Sequence, residues 1–230
     1  MRVLAGDTST SVNTVAIVDG DQVLAETVVE CGRTHTERLL GTIDWVLDQA
    51  GMTLDALDVL AVSIGPGSFT GLRVGLATWK GLAAGAGLGL IGVPTLDAMT
   101  RVCVFTDVIV CPLLDAKMGE VFGATYAFTA GERRKLTEDL ACPVDDILAK
   151  LEGEVVFLGD GAEKYRADIE RQMGKAVFLP GPLSVPRAAA VASEARALFE
   201  AGVSTDPASV SPVYLRKSQA EEARDKVATQ

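Results

Sequence analysis

Histidine is almost missing from this chain: His35 is the single one in 230 residues. One imidazole cannot make a His-x-x-x-His or H-E-x-x-H pair, so a metal site built on either motif is excluded. A Ser-His-Asp triad would have to use His35, and no G-x-S-x-G elbow accompanies it. The four cysteines, Cys31, Cys103, Cys111 and Cys142, are far apart and form no C-x-x-C. That spacing excludes zinc ribbons and redox pairs and leaves scattered thiols of a reducing compartment. Positive charge is scarce as well: 21 basic against 31 acidic side chains leave a net charge of −10. Binding of nucleic acid through bulk electrostatics is therefore excluded, because it rests on Lys and Arg neutralising phosphates. Local contact with RNA, or work on RNA inside a more basic complex, stays open. The most apolar region, Val74 to Leu96, is broken by Lys80, several glycines and Pro94 and does not read as a membrane span. Met1-Arg2 leads straight into a strand-like run without signal-peptide architecture. The expectation is a cytoplasmic protein with no membrane partner.

What is present begins with three strands in a meander. Val3 to Asp7 is a short apolar strand ending on an acid; the turn Thr8-Ser9-Thr10-Ser11 follows, then Thr14 to Val18. Asp19-Gly20-Asp21 is a hairpin turn, and Val23 to Glu30 returns. Leu39, Leu40, Ile43, Val46, Leu47 and Ala50 recur at helical spacing, predicting an amphipathic helix over 36–50. Asp58 to Ile64 is nearly all apolar, as a central strand covered on both faces would be. Ser63-Ile-Gly-Pro-Gly-Ser-Phe-Thr-Gly-Leu-Arg-Val-Gly75 then opens a helix over 71–86. A glycine loop at a helix start has the form of a phosphate cradle. Its strand end carries no acid, however, so the glycines are read as a tight turn that also thins the helix for a close neighbour. Ser68 or Thr70 is expected to cap it.

The second half repeats this plan. Val108 to Asp115 is again an apolar strand ending on an acid, Ala116-Lys117-Met118-Gly119 turns, and Glu120 to Tyr126 runs back. Glu154 to Gly161 repeats strand–Gly-x-Gly–helix, and Pro186 to Ala201 reads as an Ala-rich closing helix. Two copies of strand–Asp–turn–strand and two of strand–Gly-x-Gly–helix, in one order, point to an internal duplication. The expected fold is α/β, a two-lobed actin-like (ASKHA) architecture with the second lobe reduced. Its lobes are drawn at 1–105 and 106–216, with a polar tail at 217–230. In that architecture the acid-bearing hairpins bracket the phosphates of ATP and a Gly-x-Gly turn carries the adenosine. The candidates for such a site are Asp7, Thr8, Ser9, Asp115, Lys117, Gly159 and Gly161.

The ordered blocks D-T-S-T, C-G-R-T-H-T-E-R-L-L, S-I-G-P-G-S-F-T-G-L-R-V-G, L-L-D-A-K-M-G-E-V-F, L-G-D-G and P-V-Y-L-R span Val3 to about Arg216. Together they resemble the TsaB (YeaZ) family of bacterial tRNA threonylcarbamoyladenosine biosynthesis proteins. The G-P-G-S-F-T-G-L-R and D-A-K-M-G-E-V blocks carry the specificity. The resemblance implies an inactive paralogue of the metalloenzyme TsaD that forms a heterodimer with it and works with the ATPase TsaE. That complex places threonylcarbamoyl on the tRNA adenosine beside the anticodon (t6A), so contact with tRNA comes only through the complex. It also implies homodimerisation in isolation, through the two helices of the first lobe. The corresponding residues are His35, Leu39, Leu40, Ile43 and Trp45, with Ser68, Gly71, Arg73, Gly75 and Trp79 on the second helix. The same residues also read as ordinary core, with the glycines admitting a helix of the same chain.

Asp7 and Asp115 could hold Mg²⁺ through water, or could cap their own turns as inherited scaffolding. The expectation is a vestigial or weak ATP/ADP site with Mg, no tightly bound cofactor and no catalytic residue. Lys117 could meet phosphate or a neighbouring acid, and a solvated turn lysine is the plainer reading. Arg73 is expected to make a structural or interface hydrogen bond. The competing function is an ATP-dependent small-molecule kinase of the same superfamily.

Overall fold

The computed structural model describes residues 1–31 and 35–216, with the backbone alone at 35–37. In the first half, β1 (Arg2–Asp7), β2 (Val12–Asp19) and β3 (Gln22–Glu30) make the meander. They are followed by α1 (His35–Gln49), β4 (Val59–Gly65), α2 (Phe69–Ala86), β5 (Gly89–Pro94) and α3 (Thr95–Met99). The second half has β6 (Ile109–Lys117), β7 (Glu120–Gly123), β8 (Tyr126–Thr129), β9 (Glu132–Lys135) and β10 (Leu140–Pro143). Then come α4 (Val144–Leu148), β11 (Val155–Leu158), α5 (Asp160–Lys164), α6 (Arg166–Gln172), β12 (Ala176–Phe178), α7 (Gly181–Ser184) and α8 (Ala188–Glu200).

Two sheets carry the duplication. The first has strand order β3-β2-β1-β4-β5 and the second β10-β7-β6-β11-β12. In each, the central strand carries its aspartate at or near its end (Asp7 is the last residue of β1, Asp115 lies two residues before the end of β6), pairs antiparallel with the next strand, and pairs parallel with the strand that leads into a helix. The two-lobed fold with a reduced second lobe is thus present. The helix after β4 has 18 residues, whereas the helix after β11 has 5. Hairpin β8–β9, attached to β6 through Val110 and Tyr126, has no counterpart in the first sheet.

Residue alternation sorts the first sheet's faces. Leu4, Val15, Leu60 and Leu90 meet Leu39, Ile43, Val46 and Trp79 of α1 and α2. Val3, Ala5, Ala61 and Ile91 meet Ala188, Val191, Ala192 and Ala195 of α8. Each large aliphatic side chain in these layers contributes about 1.5–3 kcal/mol on burial. The alanines of α8 let its backbone lie close to the sheet.

That placement corrects the sequence-based grouping of 106–216 as one lobe. The closing helix belongs to the first sheet, and the chain beyond it stays there. The Leu90 N–H donates to the Thr205 carbonyl at 2.8 Å, and the Val213 N–H donates to that of Ile64 at 2.8 Å. The helix's destination is a long-range packing choice, invisible in a local window. Residues 217–230, expected to be a polar tail, lie outside the described residues. Among the described residues no helix is long and apolar enough to cross a membrane. Cys31, Cys103 and Cys111 are buried and Cys142 is half-buried. Burial pushes the Cys103 thiol up to about 11 and the Cys111 thiol further still, which makes them poor nucleophiles.

Candidate functional site

Asp7, Thr8 and Ser9 stand where β1 ends, all but fully buried. Asp7 Oδ1 accepts the Ser9 backbone N–H at 2.8 Å and the Ser9 hydroxyl at 2.8 Å. The turn is therefore closed by its own acid, as aspartate does in Asx turns. The glycine loop lands on this turn. Ser68 N–H donates to the Ser9 carbonyl at 2.7 Å, and Thr8 Oγ1 donates to the Gly71 carbonyl at 2.7 Å. A side chain at Gly71 would overlap the Thr8 carbonyl oxygen, one at Gly75 the Thr8 hydroxyl, and one at Gly67 the Ser9 backbone. These glycines are needed so that α2 can approach the first hairpin. Ser68 caps α2, its hydroxyl accepting the Gly71 N–H at 3.3 Å.

The second hairpin repeats the first at atomic detail. Asp115 Oδ1 accepts the Lys117 N–H, two residues on, at 2.9 Å. Lys117 Nζ reaches Asp115 Oδ2 at 2.6 Å, and Lys164 Nζ reaches Oδ1 at 2.8 Å. Burial alone would push the Asp115 carboxyl up, but hydrogen bonds from Lys117 and Lys164 outweigh it and hold it below the ordinary carboxylate range. Lys164 is held charged in return, first by its hydrogen bond to Asp115. Of the readings of Lys117, the geometry has both pairing with a neighbouring acid and the solvated turn lysine, since its side chain is 68% exposed while its Nζ sits on Asp115. Gly159 and Gly161 press against the backbone of Leu113 and Leu114, where side chains would overlap it. They seat α5 on β6 as Gly71 seats α2 on the first hairpin. The Asp115 N–H also donates to Asp160 Oδ1 at 3.0 Å.

The expected partner face divides in two. Leu40 is 57% exposed and Trp45 51%, on the outer side of α1. Gly41 on α1, and Gly81 and Gly85 on α2, have nothing within 4 Å of where a side chain would begin. Leu39, Ile43 and Trp79 are corrected to core: each is at most 1% exposed, and the Trp79 ring lies over Gly6. The helical stripe that carries them is the stripe that packs inward, so spacing alone could not assign them to a partner. Gly71, Gly75 and Ser68 are likewise used inside the chain. Arg73 makes a structural contact: its Nε donates to Tyr214 Oη at 3.0 Å, and its guanidinium lies 5.5 Å from the ring centres of Phe69 and Tyr214. Those two rings stack at 4.3 Å, which fastens the P-V-Y-L-R segment to the start of α2. His35 lies in the first turn of α1, and its side chain falls outside the described residues.

Sequence reasoning missed Lys164, Phe69 and Tyr214. Only the recurrence of an aromatic in both the G-S-F-T-G and P-V-Y-L-R blocks hinted at a pairing. Among the described residues no group of three or more His, Cys, Asp or Glu side chains is placed to hold a metal ion.

The family model for TsaD, tRNA N6-adenosine threonylcarbamoyltransferase, matches residues 28–224. The tRNA threonylcarbamoyladenosine biosynthesis protein TsaB of Escherichia coli K12 is 34% identical over 229 residues, 96% of each chain. The chain belongs to the TsaB family. Its TsaB relative in Bacillus subtilis strain 168 is 28% identical over 225 residues, again 96% of each. The solved structure of YeaZ from Pseudomonas aeruginosa superposes with a TM-score of 0.80 at 27% identity, covering 93% of this chain and 99% of that one. Three of the blocks that pointed to the TsaB family meet in space. The D-T-S-T turn seats G-P-G-S-F-T-G, and P-V-Y-L-R closes over it.

Proposed function

We propose that this chain is a non-catalytic subunit of the machinery that places threonylcarbamoyl on tRNA adenosine, acting by holding and activating a TsaD-type catalytic partner. The observation that carries the proposal is the employment of both hairpin acids. Asp7 closes its own turn, and Asp115 is clamped by its own turn and two lysines. Phosphoryl transfer needs a metal-holding acid and a base or positioned nucleophile at the phosphates. Here the acids serve the fold. ATP or ADP with Mg binds weakly at most, at what remains of a nucleotide cleft, and no cofactor is held tightly. The kinase alternative draws no support from the TsaB relatives.

The partner face is the outer side of α1 and α2. Leu40 and Trp45 stand out there beside open glycines, the pattern of an aromatic anchor next to a thin helix. The same face serves a homodimer when the chain is alone. A TsaE-type ATPase joins the assembly, and the net charge of −10 leaves the grip on tRNA to other subunits. The site of action is the cytoplasm.

The test is size exclusion of this chain with a His-x-x-x-His-bearing paralogue from the same genome. Co-elution is expected, and Trp45→Ala should weaken it at least tenfold, a loss of about 1.4 kcal/mol or more typical of a central aromatic. Failure to associate with or without nucleotide, or ATP turnover by the isolated chain that Asp7→Ala abolishes, would overturn the proposal.

A further inference from the structure

A buried polar cluster lies away from both hairpins, at the seam between the two sheets. Glu194, on α8 against the first sheet, has a side chain only 4% exposed. It takes both arms of the Arg133 guanidinium, at 2.9 and 2.7 Å, and the Arg101 Nε at 2.6 Å. Arg133 belongs to β9, in the hairpin that the second half has and the first lacks. The same guanidinium donates to the Asp97 carbonyl at 2.6 Å and to the Thr100 hydroxyl at 3.3 Å. Two residues further on, Lys135 pairs with the Asp97 carboxylate at 3.0 Å and with Asp139 at 2.6 Å. From β8, the buried Tyr126 hydroxyl donates to Asp97 at 2.6 Å. Three cations (Arg101, Arg133, Lys135) thus balance three anions (Asp97, Asp139, Glu194) in a shielded site. Around it the seam is apolar: Leu96 and Met99 of α3 share one core with Val110, Leu114, Phe122 and Phe128 of the second sheet.

We propose that hairpin β8–β9 is a clasp that locks the two lobes into one rigid body, so that the two acid-bearing hairpins keep one fixed separation. Hinge closure of two lobes needs a seam that slides or bends without leaving buried charge unpaired. Here any rotation would strip Glu194 of a two-pronged guanidinium whose planar geometry tolerates little displacement. The carboxylate would then be left buried and uncompensated, and the rest of the network would fail with it. The chain itself adds two further crossings. It returns to the first sheet at α8, and Arg216, just beyond the segment seated on that sheet, pairs with Glu120 of β7 at 3.2 Å. Rigidity of this kind suits a chain that presents a fixed surface and does not cycle with a nucleotide.

Pulsed electron-resonance distances between spin-labelled non-natural side chains at Thr53 in the first lobe and Glu152 in the second test the clasp in the whole chain. One narrow distance distribution is expected, unshifted by ADP or by a non-hydrolysable ATP analogue with Mg. The double variant Arg133→Gln/Glu194→Gln should broaden and shift it while near-ultraviolet circular dichroism still reports native packing. A broad distribution in the unaltered protein, or one that nucleotide moves, overturns the clasp. So does a folded double variant whose distribution stays narrow. Should that variant not fold, Tyr126→Phe with Lys135→Met, which removes the side-chain contacts to the Asp97 carboxylate and the Lys135–Asp139 pair but leaves Arg133 on Glu194, is read by the same two criteria.

Discussion

The two hairpins begin from one device and end as different objects. Asp7 and Asp115 each lie at or near the end of a central strand and each accept the backbone N–H of the second residue beyond. Around Asp7 the device is sealed by packing: the turn is buried and α2 presses on it through two glycines. Around Asp115 it is sealed by charge, with two exposed lysines on one carboxylate. The difference follows the length of the helix behind each hairpin. An 18-residue helix can cover a turn with its own backbone, whereas a 5-residue helix has no such reach and contributes a lysine. Duplicated scaffolds can therefore close the same turn by either of two routes.

The comparison can be broken most severely at Gly71. Gly71→Ala pushes a methyl into the Thr8 carbonyl and should cost about 3 kcal/mol, read as a lower denaturation midpoint. Asp7→Ala comes next. It leaves a buried N–H and a hydroxyl without their acceptor, at about 2 kcal/mol by the same measurement. The charge-sealed hairpin should respond less and with a different pH signature. Asp115→Asn should cost about 1 kcal/mol at neutral pH, because lysines this exposed are well screened. The sign follows from the depressed folded-state pKa of Asp115. Its contribution is present above the unfolded value of 3.8 and is lost as pH falls through the lower folded value. The two stability curves should therefore converge under acid; a gap that persists there would mean the lysines are not its source. The smallest effect has the opposite sign. Gly81→Ala, on the open side of the same helix as Gly71, should stabilise by about 0.5–1 kcal/mol through helix propensity.

The duplication and both acid-bearing turns were legible because they are local: apolar strand, acid, turn residues and return strand all fall within one short window. The capping role of Ser68 was legible for the same reason. Which side of the first-lobe helices faces outward was only half legible. Leu40 and Trp45 are exposed, but Leu39, Ile43 and Trp79 share the helices and turn inward. A helix has two sides, and hydrophobic spacing reports that a stripe is covered without saying by what. The same limit hid the meaning of the glycines, since Gly71 and Gly81 are alike in sequence. Only the hairpin against Gly71 tells them apart.

By itself, the sequence determined that no His-x-x-x-His or H-E-x-x-H metal pair could exist, that an αβ unit occurs twice, and that the motif blocks run in the order of the TsaB family. Composition and short-range pattern are sufficient for each of these. Tertiary structure alone decided that α8 returns to the first sheet, that Thr8 meets Gly71 from 63 residues away, and that Arg133 finds Glu194 across the seam. In each case the partner is fixed by where the whole chain brings the backbone, and a buried charge or a missing side chain acquires its meaning only from what stands opposite.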